Sequence, residues 1–163
     1  MTTTDVPAST SPGTRIPRYG VLVVIAYGIC VIGMSLSIVA EMAFGYTDSG
    51  DQPRSLGQQL AGVLGFGTLG LLVSVATVAR LTSRRQRRVG AMVIGVLTVP
   101  SLALFWCGMP ALLGAAAAAL AGLTRGRTPL DGAARVFGLV GLAFAVINPI
   151  ANGLAVTISW LTT

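Results

Sequence analysis

Charged residues are scarce in this chain, and lysine and histidine are absent altogether. Only 10% of its 163 residues are charged, whereas a soluble domain usually carries about 25%. So few ionisable side chains cannot cover the surface of a water-soluble globule of this size. Because 53% of the residues are apolar and the mean hydropathy is +0.80, the composition predicts a protein that is embedded in lipid.

The residue types that are missing also exclude most site chemistry. There is no histidine, and the two cysteines, Cys30 and Cys107, do not have metal-site spacing. No Gly-rich loop follows a strand, and no nucleophile has a base at motif spacing. We therefore expect no enzyme activity, no cofactor and no metal. The topology derived below places the cysteines at different depths, so a disulfide between them is not expected.

All eleven basic residues are arginine, and they give a net charge of +6. Five of them lie in one short stretch between two apolar runs, which argues against nucleic acid as a partner, because no soluble domain is present to read a groove. Arginine beside a membrane span is first an orientation signal. Four members of this stretch are also candidate contacts for anionic lipid: Arg84, Arg85, Arg87 and Arg88.

Four charge-free runs organise the chain, at residues 19–40, 55–79, 89–123 and 136–163. Residues 1–14 are rich in Thr, Ser and Pro, which predicts a disordered cytoplasmic tail ahead of one transmembrane domain at 15–163. A helix rises about 1.5 Å per residue, so about 20 residues cross the roughly 30 Å of hydrocarbon. The first, second and fourth runs each fit one span, whereas the third run is too long for one.

A turn is predicted in the middle of the third run. Gly108 can reverse the chain, and Pro110 suits the first turn of a new helix. Trp106 favours the membrane–water interface, which places it at a hairpin tip. We predict an all-α membrane bundle of five transmembrane helices at about 19–43, 57–80, 89–106, 109–123 and 136–160. The alternative is four spans, with 109–123 as a short interfacial or re-entrant helix.

The arginine distribution favours five spans with a cytoplasmic N-terminus in the plasma membrane. In that arrangement only Arg54 lies outside, because the loops at 80–88 and 124–135 both face the cytoplasm. With four spans, Arg125, Arg127 and Arg135 would lie outside.

Small residues recur every three or four positions in three of the predicted spans, as expected of helices that pack closely in lipid. In the last span they fall within an arc of about 100°, and the opposite arc carries residues that suit lipid: Leu139, Ile147, Ile150 and Leu154. The stripes are Ala26, Cys30, Gly33, Ser37 and Ala40; Gly67, Gly70, Ser74 and Thr77; and Gly138, Gly141, Ala145, Asn148, Asn152, Ala155 and Ser159.

Asn148, Pro149 and Asn152 form a candidate intramembrane polar site. An amide near the bilayer centre needs a partner, because hydrocarbon offers none. Pro149 removes one backbone donor and frees the carbonyl of Ala145. Both packing between helices and a binding or permeation role are consistent with this pattern. Glu41, Asp48 and Asp51 match no calcium loop, and we interpret them as solvated charges near the outer loop.

The stretch from Arg87 to about Ala155 combines a basic entry, a Gly-rich span, the tight turn at 108–110, an Ala-rich return helix, a basic connector and another Gly-rich span. It resembles the membrane hairpins of small uncharacterised multi-pass proteins of high-GC actinobacteria. The resemblance implies a multi-pass membrane protein and carries no site residues.

These features predict a multi-pass membrane protein that acts by interaction, as an accessory subunit or scaffold. Its expected partners are the lipid bilayer and either a second copy of the chain or another membrane protein. The alternative is a small transporter or channel that uses the face of Asn148 and Asn152.

Overall fold

The computed structural model of this protein describes residues 17–44 and 56–162. Within these two ranges the chain is almost entirely helical and contains no strand, so the predicted all-α fold is confirmed. Some predictions lie outside the described residues: those on the tail at 1–14, on Arg54, and on the carboxylates of Glu41, Asp48 and Asp51.

Three helices are long and apolar enough to cross a membrane, which supports a membrane protein. The first runs over Tyr19–Phe44 and consists of α1 (Tyr19–Ala26), a π-helical segment (Tyr27–Gly33) and α2 (Met34–Phe44). The other two are α3 (Leu56–Arg80) and α6 (Ala133–Thr162), which continues through Pro149.

The third apolar run forms a bent hairpin. It consists of α4 (Arg84–Thr98), a 3₁₀ helix (Pro100–Cys107) and α5 (Met109–Leu120). The axis bends by 71° between α4 and the 3₁₀ helix, where Pro100 supplies no backbone donor. If this bent pair counts as one span, the described residues hold four candidate spans, and otherwise three. The predicted count of five is therefore not confirmed.

The turn of the hairpin is formed by the residues that predict it. Gly108 has a φ of 71°, in the left-handed region that favours glycine, and precedes α5 directly. Pro110 lies in the first turn of α5, where a missing N–H leaves no helical bond unmade. The predicted turn is thus confirmed.

Both ends of the hairpin lie at the same end of the bundle. The guanidinium of Arg87 in α4 donates to the carbonyl of Leu120, at the end of α5, and to that of Thr128 beyond it. Arg127 donates to the carbonyl of Val78, near the end of α3. The segments at 80–88 and 121–135 therefore meet, as predicted, and we call this the basic end of the bundle.

The tip of the hairpin (Phe105–Gly108) lies beside the middle of the long helices. Gly108 packs against the side chain of Cys30 in the first long helix. The carbonyl of Cys107 lies against Gly67 of α3, and that of Phe105 is bonded by Asn148 of α6. The prediction that Cys30 and Cys107 lie at different depths is therefore wrong, because the hairpin turns back halfway along its neighbours. Both cysteines are free and buried.

Helix α5 fills the centre of the bundle. Every residue from Pro110 to Ala121 is buried, and α5 packs against α1, α3, α4 and α6. A helix that is apolar on every side suits the interior of a bundle. Its small residues allow four neighbours to approach together.

The predicted packing stripes are largely buried. In α6, Gly138, Gly141, Ala145, Asn148 and Asn152 face the interior, whereas the predicted lipid-facing side chains are about half exposed or more. These residues follow the predicted pattern of burial. Ala155 departs from it, because it is exposed.

Candidate functional site at the hairpin tip

The hairpin tip is held by a cluster of polar groups inside the bundle. The side-chain amides of Asn148 and Asn152 each donate to the backbone carbonyl of Phe105 at 3.1 Å. Asn152 also donates to the carbonyl of Asn148 at 3.0 Å. Asn148 is 5% exposed and Asn152 only 1%. The amides predicted to need a partner therefore find one on the hairpin.

The carbonyl of Phe105 is available because the 3₁₀ helix ends there. The last carbonyls of a helix have no donor further along it, and Phe105 receives only the N–H of Gly108 from its own segment. Two adjacent turns of α6 supply the further donors, since Asn148 and Asn152 are four residues apart and share a face. The arrangement joins the tip to α6 by polar bonds in an apolar surrounding.

The first long helix completes the cluster. The Cys30 thiol lies 3.4 Å from Oδ1 of Asn148, to which it donates. Cys30 belongs to the π-helical segment, a wide turn that often occurs at functional sites. Here the segment lies directly against Gly108, where a Cβ atom would collide with Cys30. We call Cys30, Phe105, Gly108, Asn148 and Asn152 the tip cluster.

One hydrogen-bond acceptor of the tip cluster, on Asn152, accepts no hydrogen bond from the described residues. Oδ1 of Asn152 is buried and has no hydrogen-bond partner among the described residues. A buried acceptor without a partner destabilises a fold by about 1–3 kcal/mol. Asn152 thus donates through its amide nitrogen, and its oxygen is the one buried side-chain oxygen or nitrogen of the cluster that has no partner among the described residues.

A second polar connection lies nearer the basic end. Ser74 of α3 is fully buried and donates to the carbonyl of Leu112 in α5 at 2.9 Å. A serine hydroxyl has one proton, so the hydroxyl of Tyr19, at 2.8 Å from Ser74, is the donor in that pair. The chain from Tyr19 through Ser74 to Leu112 joins α1, α3 and the central helix.

Two arginines of the basic end bind the carbonyl groups of helix termini. Arg87 contacts the C-terminal carbonyl of α5, and Arg127 contacts the last turn of α3. A cation there offsets the partial negative charge of the helix end. Gly122, with a φ of 76°, ends α5 in a Schellman turn, in which the N–H of Leu123 donates to Ala118.

Of the four arginines predicted to contact lipid, Arg84, Arg85 and Arg88 are exposed, and Arg87 is partly buried by its two carbonyl contacts. Sequence reasoning missed the capping roles of Arg87 and Arg127 and the connection through Ser74. A basic residue four positions into α4 carries no sign of a partner 33 residues later. Gly122 is the one local feature of the sequence that indicates where α5 ends, and therefore where its last carbonyl groups need partners.

The tip cluster offers amides, backbone carbonyls and one thiol, but it has no charged group. Among the residues that the structure describes, no group of three His, Cys, Asp or Glu side chains could hold a metal ion. Comparison with protein-family models, curated proteins and solved structures finds no match. Function is therefore inferred from the geometry of this chain.

Proposed function

We propose that this protein is an interaction or scaffold protein of the cell membrane, with its N-terminus in the cytoplasm. The observation that carries the proposal is the central helix: α5 occupies the axis of the bundle, and every residue from Pro110 to Ala121 is buried. Because a close-packed helix fills the axis of the bundle, the outer faces are the surfaces that can contact other molecules. Those faces are apolar along the long helices and basic at one end.

The proposed membrane placement has three full spans and one re-entrant hairpin. Helix α5 has 12 residues and a length of about 18 Å, too short for roughly 30 Å of hydrocarbon. Its ends lie at the basic end and beside the middle of the long helices. Backbone polar groups at that depth need partners within the protein, and the Asn amides bond the carbonyl of Phe105.

Transport is the second candidate, and one observation favours it. The N-terminus of α5 and the unpartnered oxygen of Asn152 lie near the middle of the bundle. Transporters often bind substrate near the bilayer midplane at the ends of broken helices. The tip cluster has this layout, although its amide donors are already used by Phe105.

Flux through proteoliposomes separates the two functions. Purified protein would be reconstituted, and the efflux of potassium, chloride and a small neutral solute would be compared with that from empty liposomes. The scaffold proposal expects no added flux. Flux that disappears in Asn152→Leu, with helical content and unfolding midpoint retained, would favour transport.

An interaction role is tested directly by cross-linking in the membrane. Single cysteines would replace Leu72 of α3 and Leu154 of α6, both about 60% exposed, in a protein whose native cysteines are changed to alanine. A buried position, Val63, serves as the control. The proposal expects a discrete cross-linked species from at least one outer face and none from Val63. If neither outer position gives a cross-linked species, the proposal is contradicted.

A further inference from the structure

A groove of about 600 Å³ begins at the basic end and lies between the end of α3 and the part of α4 from Arg85 to Ile94. Its size falls within the range of about 300–1,000 Å³ typical of ligand sites. Its lining residues come from both helices and from the turn that joins them: Thr77, Leu81, Ser83, Arg85, Gln86, Val89, Gly90, Val93 and Ile94.

The groove is polar at one end and apolar along the rest. Arg85, Val89 and Val93 are spaced by four residues, so they form one row along α4. The arginine stands at the basic end of the row, and the two valines, each 50% exposed, continue it towards the middle of the bundle. A ligand that follows the row therefore meets a cation first and then hydrocarbon.

Arg85 is the one charged residue among those that line this groove. Ser83 and Gln86 bond each other's backbone N–H groups in a capping box, and the Thr77 hydroxyl donates to the carbonyl of Val73. Among the described residues no acidic side chain lines the groove. The guanidinium is thus placed to bind an anion, and it matches a phosphate by forming two parallel hydrogen bonds.

A groove on the other side of α4 provides a natural comparison. It measures about 380 Å³ and also has an arginine at its mouth, Arg88, four residues before Met92. Asp131 lines the same groove, and its carboxylate repels a phosphate. Both grooves therefore combine one arginine with apolar lining residues, and they differ in the carboxylate that only the smaller groove contains.

We propose that the groove of Arg85 binds one anionic phospholipid from the leaflet at the basic end. The phosphate lies on the guanidinium of Arg85, and an acyl chain lies along Val89 and Val93. A water-soluble anion would use the arginine and leave the valine wall uncovered, whereas a phospholipid covers both. This site depends on the proposed placement of the basic end at a membrane surface, and it is independent of any protein partner.

Lipid binding to purified protein tests the site. Native mass spectrometry from detergent would measure the affinity for phosphatidylglycerol and for phosphatidylcholine with matched chains. Arg85→Gln is expected to weaken phosphatidylglycerol binding on the order of fivefold or more, and Arg88→Gln less than twofold. Val89→Trp, which fills the groove and retains the arginine, is expected to weaken binding as much as Arg85→Gln does. Unfolding midpoints would establish that each variant is folded, and Val93→Phe replaces Val89→Trp if that variant is not.

Two results would overturn the site. Equal losses in Arg85→Gln and Arg88→Gln, with none in the groove-filling variant, would mean that the arginines attract lipid by charge alone. Equal affinity for the two lipids would remove the role of the anion. Because neither readout involves flux or cross-linking, failure here is distinct from failure of the scaffold proposal.

Discussion

Adding one methyl group between α5 and α6 should separate the two helices. Gly114 of α5 and Gly141 of α6 face each other with no side chain between them. A Cβ on Gly141 would lie 2.7 Å from the carbonyl oxygen of Gly114 and 2.9 Å from the Cβ of Ala117. A Cβ on Gly114 would collide with the carbonyl oxygen of Gly141. These neighbours are backbone atoms and a Cβ, which is fixed to the backbone, so they cannot move unless the helices move.

The expected magnitude follows from two opposing effects. Overpacking of a well-packed site destabilises a protein by about 1–3 kcal/mol. Alanine is favoured over glycine in a helix by up to about 1 kcal/mol. We therefore expect Gly114→Ala and Gly141→Ala each to lower the free energy of unfolding by about 1–2 kcal/mol. The double variant should lose less than the sum, because both substitutions separate the same helix pair.

Gly153→Ala, also in α6, is the matched control. The nearest atom to its Cβ would be the Cγ2 of Ile29 at 3.6 Å, an ordinary contact. This variant should be as stable as the wild type or slightly more stable. Unfolding would be measured by titration with sodium dodecyl sulfate in mixed micelles, followed by circular dichroism. If both Gly114→Ala and Gly141→Ala match Gly153→Ala in stability, α5 and α6 do not pack as described.

Four further substitutions are expected to alter stability, each measured by the same unfolding titration. Asn148→Leu should lower the free energy of unfolding by about 1 kcal/mol. Asn152→Leu should lower it by less, because this substitution also removes the unpartnered Oδ1. A larger loss in Asn152→Leu than in Asn148→Leu would contradict the hydrogen bonds of the tip cluster. Arg87→Gln should destabilise by about 1–3 kcal/mol through loss of its two carbonyl contacts, whereas the exposed Arg84→Gln should have little effect. Ser74→Val should destabilise by about 1–2 kcal/mol, because the hydroxyl of Tyr19 loses its acceptor; an unchanged midpoint would remove the proposed connection.

Local features of the fold were predictable from the sequence. Gly108 and Pro110 indicate the turn because their backbone preferences need no tertiary information. The stripe in α6 predicts its buried face for a similar reason, since helical periodicity fixes which residues share a side. The meeting of the segments at 80–88 and 121–135 follows from charge, because arginines collect on one side of a membrane.

The number of crossings was not predictable by the same means. A pair of full spans and a re-entrant hairpin both return the chain to its starting side, so arginine counting cannot distinguish them. Trp106 was interpreted as a mark of the interface, yet it lies at a tip that packs beside the middle of the long helices. The depth of that tip depends on the bend at Pro100 and on contacts with Cys30 and Gly67, which are distant in sequence.

The partners of Asn148 and Asn152 could be expected but not identified. Their burial in an apolar helix requires hydrogen bonds, and the sequence offers many carbonyls at similar depth. Phe105 is the acceptor because a 3₁₀ helix happens to end opposite α6. Such a match between two segments is a property of the assembled bundle.

The depth of the hairpin tip in the membrane can be measured by labelling a cysteine introduced at Phe105. The Phe105 side chain is 50% exposed on the surface of the protein, so only lipid would protect a thiol there from a membrane-impermeant maleimide. Single cysteines at Phe105, Gly57 and Ser83 would be introduced after the two native cysteines are replaced by alanine. Labelling after denaturation would establish that each thiol can react.

A re-entrant hairpin predicts that the cysteine at Gly57 labels from one side of the membrane and that at Ser83 from the other. The cysteine at Phe105 would label from neither side until the protein is denatured. Labelling of the cysteine at Phe105 from the same side as that at Gly57 would mean that the hairpin crosses the bilayer and is not re-entrant.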